Sequence, residues 1–205
     1  MQLGMEHEYR RWLVDHGIPE VEPAEGRRKS GLSKQPYVPD PLDLEDRDQL
    51  GMDTVPDRMS ITSRQALETL EALDRLGQSY TSGGTPFSLH VSFHMPHSPF
   101  IVTKRYHDMY DPERMPLPPA WDDTMTESAY KKLRHEEGSP LLNETNVRRW
   151  TASYYGAVSE IDEWVGMILS KLDVLGIAGE TLVVFASDHG EMLGSHGTAG
   201  KNLFL

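Results

Sequence analysis

Residues 181–201 read TLVVFASDHGEMLGSHGTAGK, and the abrupt end of their apolar opening decides the fold. Thr181 to Ala186 carries no charge and is rich in β-branched and aromatic types, the composition of a central parallel strand covered on both faces. In open α/β sheets ligands sit beyond the carboxyl ends of such strands, so the polar Ser187-Asp188-His189-Gly190 that follows falls at a rim. Asp188 and His189 are neighbours and reach one ion only if the backbone turns sharply, a turn that Gly190 permits. A carboxylate suits calcium or magnesium, and an imidazole also accepts zinc or manganese, so the pair alone does not choose a metal. The plainer reading makes Asp188 the cap of a following turn and His189 a loop histidine.

Upstream, Trp150, Tyr154, Val158, Ile161, Val165, Ile168, Leu169, Leu172 and Leu175 fall on one stripe before Gly176, with Asn146 available as a cap. The spacing predicts a long helix. Leu67, Leu70, Leu73 and Leu76 predict an earlier one, capped by Ser60 or Thr62 and stopped at Gly77. Between them Phe87, Leu89, Val91 and Phe93 alternate with polar residues and predict a strand. Residues 18–60 and 108–145 are rich in proline and charge and read as irregular surface chain. Helix, strand, excursion, helix, strand is an α/β order. If the two strands are parallel, His94, His97, Asp188 and His189 open onto the same rim.

The chain of 205 residues has the length of one domain. It has no cysteine, which removes disulfides, thiolate metal sites and a cysteine nucleophile together. A net charge of -12 argues against binding nucleic acid, whose phosphates demand clustered lysine and arginine. The one basic cluster, Arg27-Arg28-Lys29, reads as a solvated loop. No run approaches the ~18 apolar residues of a membrane span, and the amino-terminal MQLGMEHEYRRWLVDHG lacks the apolar stretch of a signal peptide.

Two further residues are candidates for holding an anion. Lys201 is a point charge on a flexible stem, although a lysine in a glycine-bounded loop is more often simply solvated. His97 lies between Pro96 and Ser98-Pro99, whose restricted backbones aim its ring, and it could donate to an anion or protonate a leaving group. His90, His94, His107, His135 and His196 read as structural or surface residues.

Taken together, FSLHVSFHMPHSPF, the block from YYGAVSEID to VVFASDHGEMLGSHG, and Gly200-Lys201 resemble the sulfatase family of the alkaline-phosphatase superfamily. The resemblance runs in order through residues 52–201, with 61–201 the best-matched core. It implies an α/β/α sandwich around a mainly parallel central sheet, incomplete in this chain, and makes residues 1–205 a partial catalytic domain. It also implies a calcium ion held in part by Asp188 and His189, sulfate oxygens bound by His97 and Lys201, and a sulfate ester as substrate, either a small molecule or a sulfated glycan. Members of the family are often secreted or lysosomal.

Two family features are missing. The family begins with a strand ending in an Asp-Asp pair and then Cys-x-Pro-x-Arg, whose cysteine becomes the formylglycine nucleophile. Here Asp122-Asp123 lies in a proline-rich loop, and Thr54-Val55-Pro56-Asp57-Arg58 shares the x-Pro-x-Arg skeleton only by coincidence, since it precedes the 62–76 helix, where the family has a linker well downstream of its nucleophile; with no cysteine, the chain offers no nucleophile. It therefore reads as an internal fragment, or a truncated reading frame, of a larger sulfatase. A sheet without its first strand would leave an unpaired edge and an exposed apolar face. The alternatives are a phosphodiester or phosphonate-ester hydrolase on the same scaffold, and a noncatalytic sulfatase-derived binding protein.

Overall fold

The computed structural model describes residues 2–18, 37–39, 50–123 and 142–201. The chain forms two compact units, one of residues 1–109 with 153–183 and one of residues 110–152 with 184–205. No described helix is long and apolar enough to cross a membrane.

In the first unit, helix α1 (Gln2–Asp15) precedes two short strands, β1 (Tyr37–Pro39) and β2 (Leu50–Asp53). Helix α2 (Ile61–Thr81) then leads to strand β3 (Phe100–Thr103) and the short helix α3 (Lys104–His107). The sheet order is β1-β2-β3, with β1 antiparallel and β3 parallel to β2 in the register Leu50↔Phe100 to Asp53↔Thr103. Strands thus arise within the stretch read as irregular, because three or four residues are too few to display a period of two.

Ser60 caps α2, its side chain accepting from the Ser63 backbone N–H, and the helix continues through Gly77 to Thr81. Gly77 is therefore no stop. Thr62, Ala66, Thr69, Leu73 and Gly77 are buried while Leu67 lies on the exposed side, so small residues form most of the seam. They let neighbouring chain come close: a Cβ on Gly77 would lie 2.8 Å from Leu175 Cδ1.

The long helix α4 (Glu144–Val174) begins six residues before Trp150, the first residue of the stripe. Its cap is Asn143, whose Oδ1 accepts from the Asn146 N–H at 3.0 Å, and Asn146 lies inside the helix. Residues 153–174 of α4 belong to the first unit and form its floor. Ala157 joins Tyr9, Leu13, Val55, Ile61, Met95, Val102 and Tyr106 in the main core, and Leu172 joins Leu73 and Ile177 in a second cluster.

Neither long strand expected from the sequence forms a ladder. Residues 85–93 and 182–186 make no backbone hydrogen bond to another described segment, and the sheet is built from 37–39, 50–53 and 100–103 instead. An extended apolar run becomes a strand only where a neighbour supplies the partners for its N–H and C=O groups. Leu182, Val184 and Phe185 are 89%, 78% and 78% exposed, consistent with a run suited to burial that none of the described residues covers.

The second unit holds the 3-10 turn Pro112–Arg114, the first turns of α4 and the segment after Val183. Arg148 donates to the Met115 carbonyl, and Val147, Trp150 and Met192 are buried.

At Gly156 of α4 an added Cβ would lie 2.6 Å from the Tyr106 carbonyl oxygen. Gly156→Ala gains about 1 kcal/mol of helix propensity but forces backbone apart at a cost of about 1–3 kcal/mol, so urea unfolding should show a net loss. Gly77→Ala meets only the tips of the Leu175 and Ile177 side chains and should be close to neutral in the same assay.

Candidate active-site residues

Asp188 and His189 follow the uncovered apolar run. Asp188 Oδ1 accepts from the His189 backbone N–H at 2.9 Å, and His189 Nδ1 lies 2.8 Å from the Gly190 carbonyl, to which it donates. That bond assigns the proton to Nδ1 and leaves Nε2 as the free lone pair of the neutral ring. Nε2 lies 3.5 Å from Asp188 Oδ2. Two Lewis-base atoms thus face each other across a gap that a cation can bridge. The Asp188 side chain is 87% exposed, and no group of three or more His, Cys, Asp or Glu suited to a metal occurs among the described residues.

Lys201 follows a loop closed by Glu191. The Glu191 carboxylate accepts from the backbone N–H of Leu193 and of Gly200, and Met192 N–H donates to the Gly200 carbonyl at 3.2 Å. Lys201 leaves this closure with its side chain exposed. At the loop's far end His196 takes a left-handed conformation (φ 52°, ψ 28°), uncommon for residues other than glycine although histidine is among the types that adopt it most readily. Two bonds hold it there: its N–H donates to the Ala120 carbonyl at 2.9 Å, and Nδ1 lies 2.9 Å from Asp123 Oδ2. His196, read from sequence as structural, and Asp123, read as part of a loop, thus tie this loop to residues 120–123.

His97 belongs to the other unit, at the end of the 94–97 turn, where its N–H donates to the His94 carbonyl at 3.2 Å. His94 N–H donates in turn to Gln65 Oε1 of α2 at 3.2 Å. The two imidazoles lie 5.2 Å apart. His97 Nδ1 donates to the Ser98 carbonyl at 2.6 Å, which leaves Nε2 as the nitrogen available to a ligand.

The structure therefore joins Asp188 to His189 and gives His97 and Lys201 separate mounts. Thr54–Arg58 forms the lead-in to α2: Val55 is buried with its N–H on Asp53 Oδ1, and the Arg58 guanidinium lies 4.8 Å from the centre of the Trp164 ring. His135 lies outside the described residues, as do Arg27, Arg28 and Lys29.

Residues 52–204 match the Sulfatase family. This chain belongs to the sulfatase family. Over 162 residues it is 35% identical to iduronate 2-sulfatase of Mus musculus, covering 72% of this chain and 28% of that protein. It is 37% identical over 133 residues to the multifunctional alkaline phosphatase superfamily protein PehA of Trinickia caryophylli, covering 58% of this chain and 26% of that one. The phosphonate monoester hydrolase SpPMH of Silicibacter pomeroyi superposes with a TM-score of 0.73 at 23% identity, covering 98% of this chain and 39% of that structure. The fold is that of the alkaline-phosphatase superfamily, and this sulfatase-family chain spans about a quarter of the length of the relatives it matches.

Replacing His196 by alanine removes the Asp123 contact and should loosen the loop by about 1 kcal/mol, the net worth of a typical hydrogen bond. Exchange of the Gly194 amide, which donates to the Thr198 carbonyl at 2.8 Å, should then accelerate roughly five-fold by NMR.

Proposed function

We propose that this chain carries part of the active site of a sulfuric ester hydrolase. The observation that carries the reading is the family match, which runs in order through His97, Asp188, His189 and Lys201. In this reading Asp188 and His189 are two ligands of a calcium ion, and the facing Oδ2 and Nε2 atoms favour it. Calcium takes six to eight ligands, mostly oxygen, so the described residues supply only part of a calcium site. When bound, such an ion neutralises charge on the nonbridging oxygens of a sulfate ester.

Lys201 adds a fixed positive charge to those oxygens, an electrostatic contribution of the kind that usually dominates. His97, with Nδ1 held by the Ser98 carbonyl, keeps Nε2 available, and its protonated form can donate from that nitrogen to the departing alcohol oxygen. The nucleophile is not in this chain: it has no cysteine from which formylglycine could form. The substrate is a sulfate ester, of a small molecule or a glycan.

The purified 205-residue chain should show no turnover of a chromogenic aryl sulfate with calcium present, because loss of a covalent nucleophile costs many orders of magnitude. In a longer protein that joins this sequence to Cys-x-Pro-x-Arg, Lys201→Ala should lower kcat/KM on the order of 100-fold, and His97→Ala should lower kcat most for poor leaving groups. Robust turnover by the short chain, or an unaffected Lys201→Ala, would refute the assignment. The likeness in fold to SpPMH, a phosphonate monoester hydrolase by its name, favours a second reading as a phosphodiester or phosphonate-ester hydrolase. Faster turnover of such an ester than of an aryl sulfate would select it.

A further inference from the structure

Far in sequence from the candidate ligands, the first unit buries two carboxylic acids in one place. Asp53 at the end of β2 and Glu160 in the middle of α4 are 4% and 1% exposed. Both line a small cavity with Ser60, Ile61 and Thr62 from the start of α2, Ile101 from β3, and Met95 and Pro99 from the turn that carries His97. Glu160 Oε1 accepts from the Ser60 and Ser63 hydroxyls, and Asp53 Oδ1 accepts from the Val55 backbone N–H. All these donors are neutral.

Among the described residues, the charged groups facing the pair add no compensation. Asp57, on the turn before α2, contributes a third negative charge, and Tyr106 of α3 brings a phenol that itself feels Glu160. The nearby cations are otherwise engaged: Arg58 and Arg105 pair with Glu163, and Arg64 pairs with Glu68. No described lysine, arginine or histidine forms an ion pair with Asp53 or Glu160. A buried carboxylate without a cation is costly, and the usual resolution is to keep its proton.

The geometry points to a proton-held seam: where β2, the start of α2 and α4 meet, folding takes up protons on the buried carboxyls, so the seam is tight in weak acid and loosens as the pH rises through neutrality. Burial pushes Glu160 up to about 7, opposed by the Ser60 and Ser63 hydroxyls and reinforced by Asp53 and Asp57. Burial likewise pushes Asp53 up to about 6 against the backbone N–H groups of Val55 and Thr54. Raised values in the folded state mean that it binds more protons than the unfolded chain between their ordinary range near 4 and about 7. The contribution is fully present below that window, is lost as the pH climbs through it, and is level above. For Glu160 alone, a rise from 4.5 to about 7 corresponds to a change on the order of 100-fold in the folding equilibrium.

The test is urea unfolding of the full 205-residue chain from pH 4.5 to 8, followed by tryptophan fluorescence. The wild-type midpoint should fall across this range. Glu160→Gln, which keeps the shape and removes the charge, should unfold at higher urea than wild type at pH 8 and lose most of the decline; Asp53→Asn should lose a smaller share. A decline unchanged in Glu160→Gln overturns the proposal, as does a wild-type chain with no cooperative transition at pH 5. Independently of any variant, the carbon-13 shift of the Glu160 carboxyl should titrate near neutrality, and a midpoint in the ordinary glutamate range overturns it.

Discussion

One face of α4 sets the position of nearly everything in the first unit. Gly156 admits the Tyr106 backbone, Ala157 enters the main core, Glu160 meets the α2 cap, Trp164 lies beneath the Arg58 guanidinium, and Leu172 closes on Leu73. From Gly156 and Ala157 on, these residues follow at three or four positions or, for Leu172, at twice four, so a single helical stripe fixes β2's exit, the start of α2 and its far end together. The limiting constraint is steric: at Gly156 there is room for backbone and for nothing more.

The helices were legible because their periodicity persists over many turns. Their details were not. The stripe drawn through Leu67, Leu70, Leu73 and Leu76 differs from the buried one, since hydrophobicity marks large side chains whereas the seam of α2 runs through Thr62, Ala66, Thr69 and Gly77. A glycine read as a helix stop proved to be a point of close packing. Strand assignment failed in both directions for one reason: strands depend on neighbours. The runs at 87–93 and 181–186 have strand composition and no ladder, while Leu50–Asp53 has little composition signal and sits at the middle of the sheet.

The candidate site divides in the same way. Asp188, His189, His97 and Lys201 could be picked out because chemistry-bearing residues stood against glycine and proline. Which ring nitrogen each histidine presents could not, because it depends on carbonyls of adjacent residues whose orientation is a matter of backbone geometry. Nor did the sequence alone draw attention to Asp123 with His196, which are 73 positions apart. Glu160 did leave a trace: it falls on the series Trp150, Ser153, Ala157, Glu160, Trp164, a charged residue in register with a buried stripe. Such a residue either breaks the helix's packing or signals a special environment, and here it is the second.

The uncovered run from Thr181 to Ala186 has a consequence for the chain as a material. Its six uncharged residues have high β-propensity, and from Leu182 to Ala186 no described segment takes up the main-chain donors and acceptors, the signature of a template for cross-chain pairing. Glu180 and Asp188 stand on either side of it as gatekeepers, placing negative charge where stacked copies would bring like charges together. The carboxylate of Asp188, a candidate ligand by sequence, thus also lowers the tendency of the polypeptide to aggregate, and substitutions that remove it should raise that tendency.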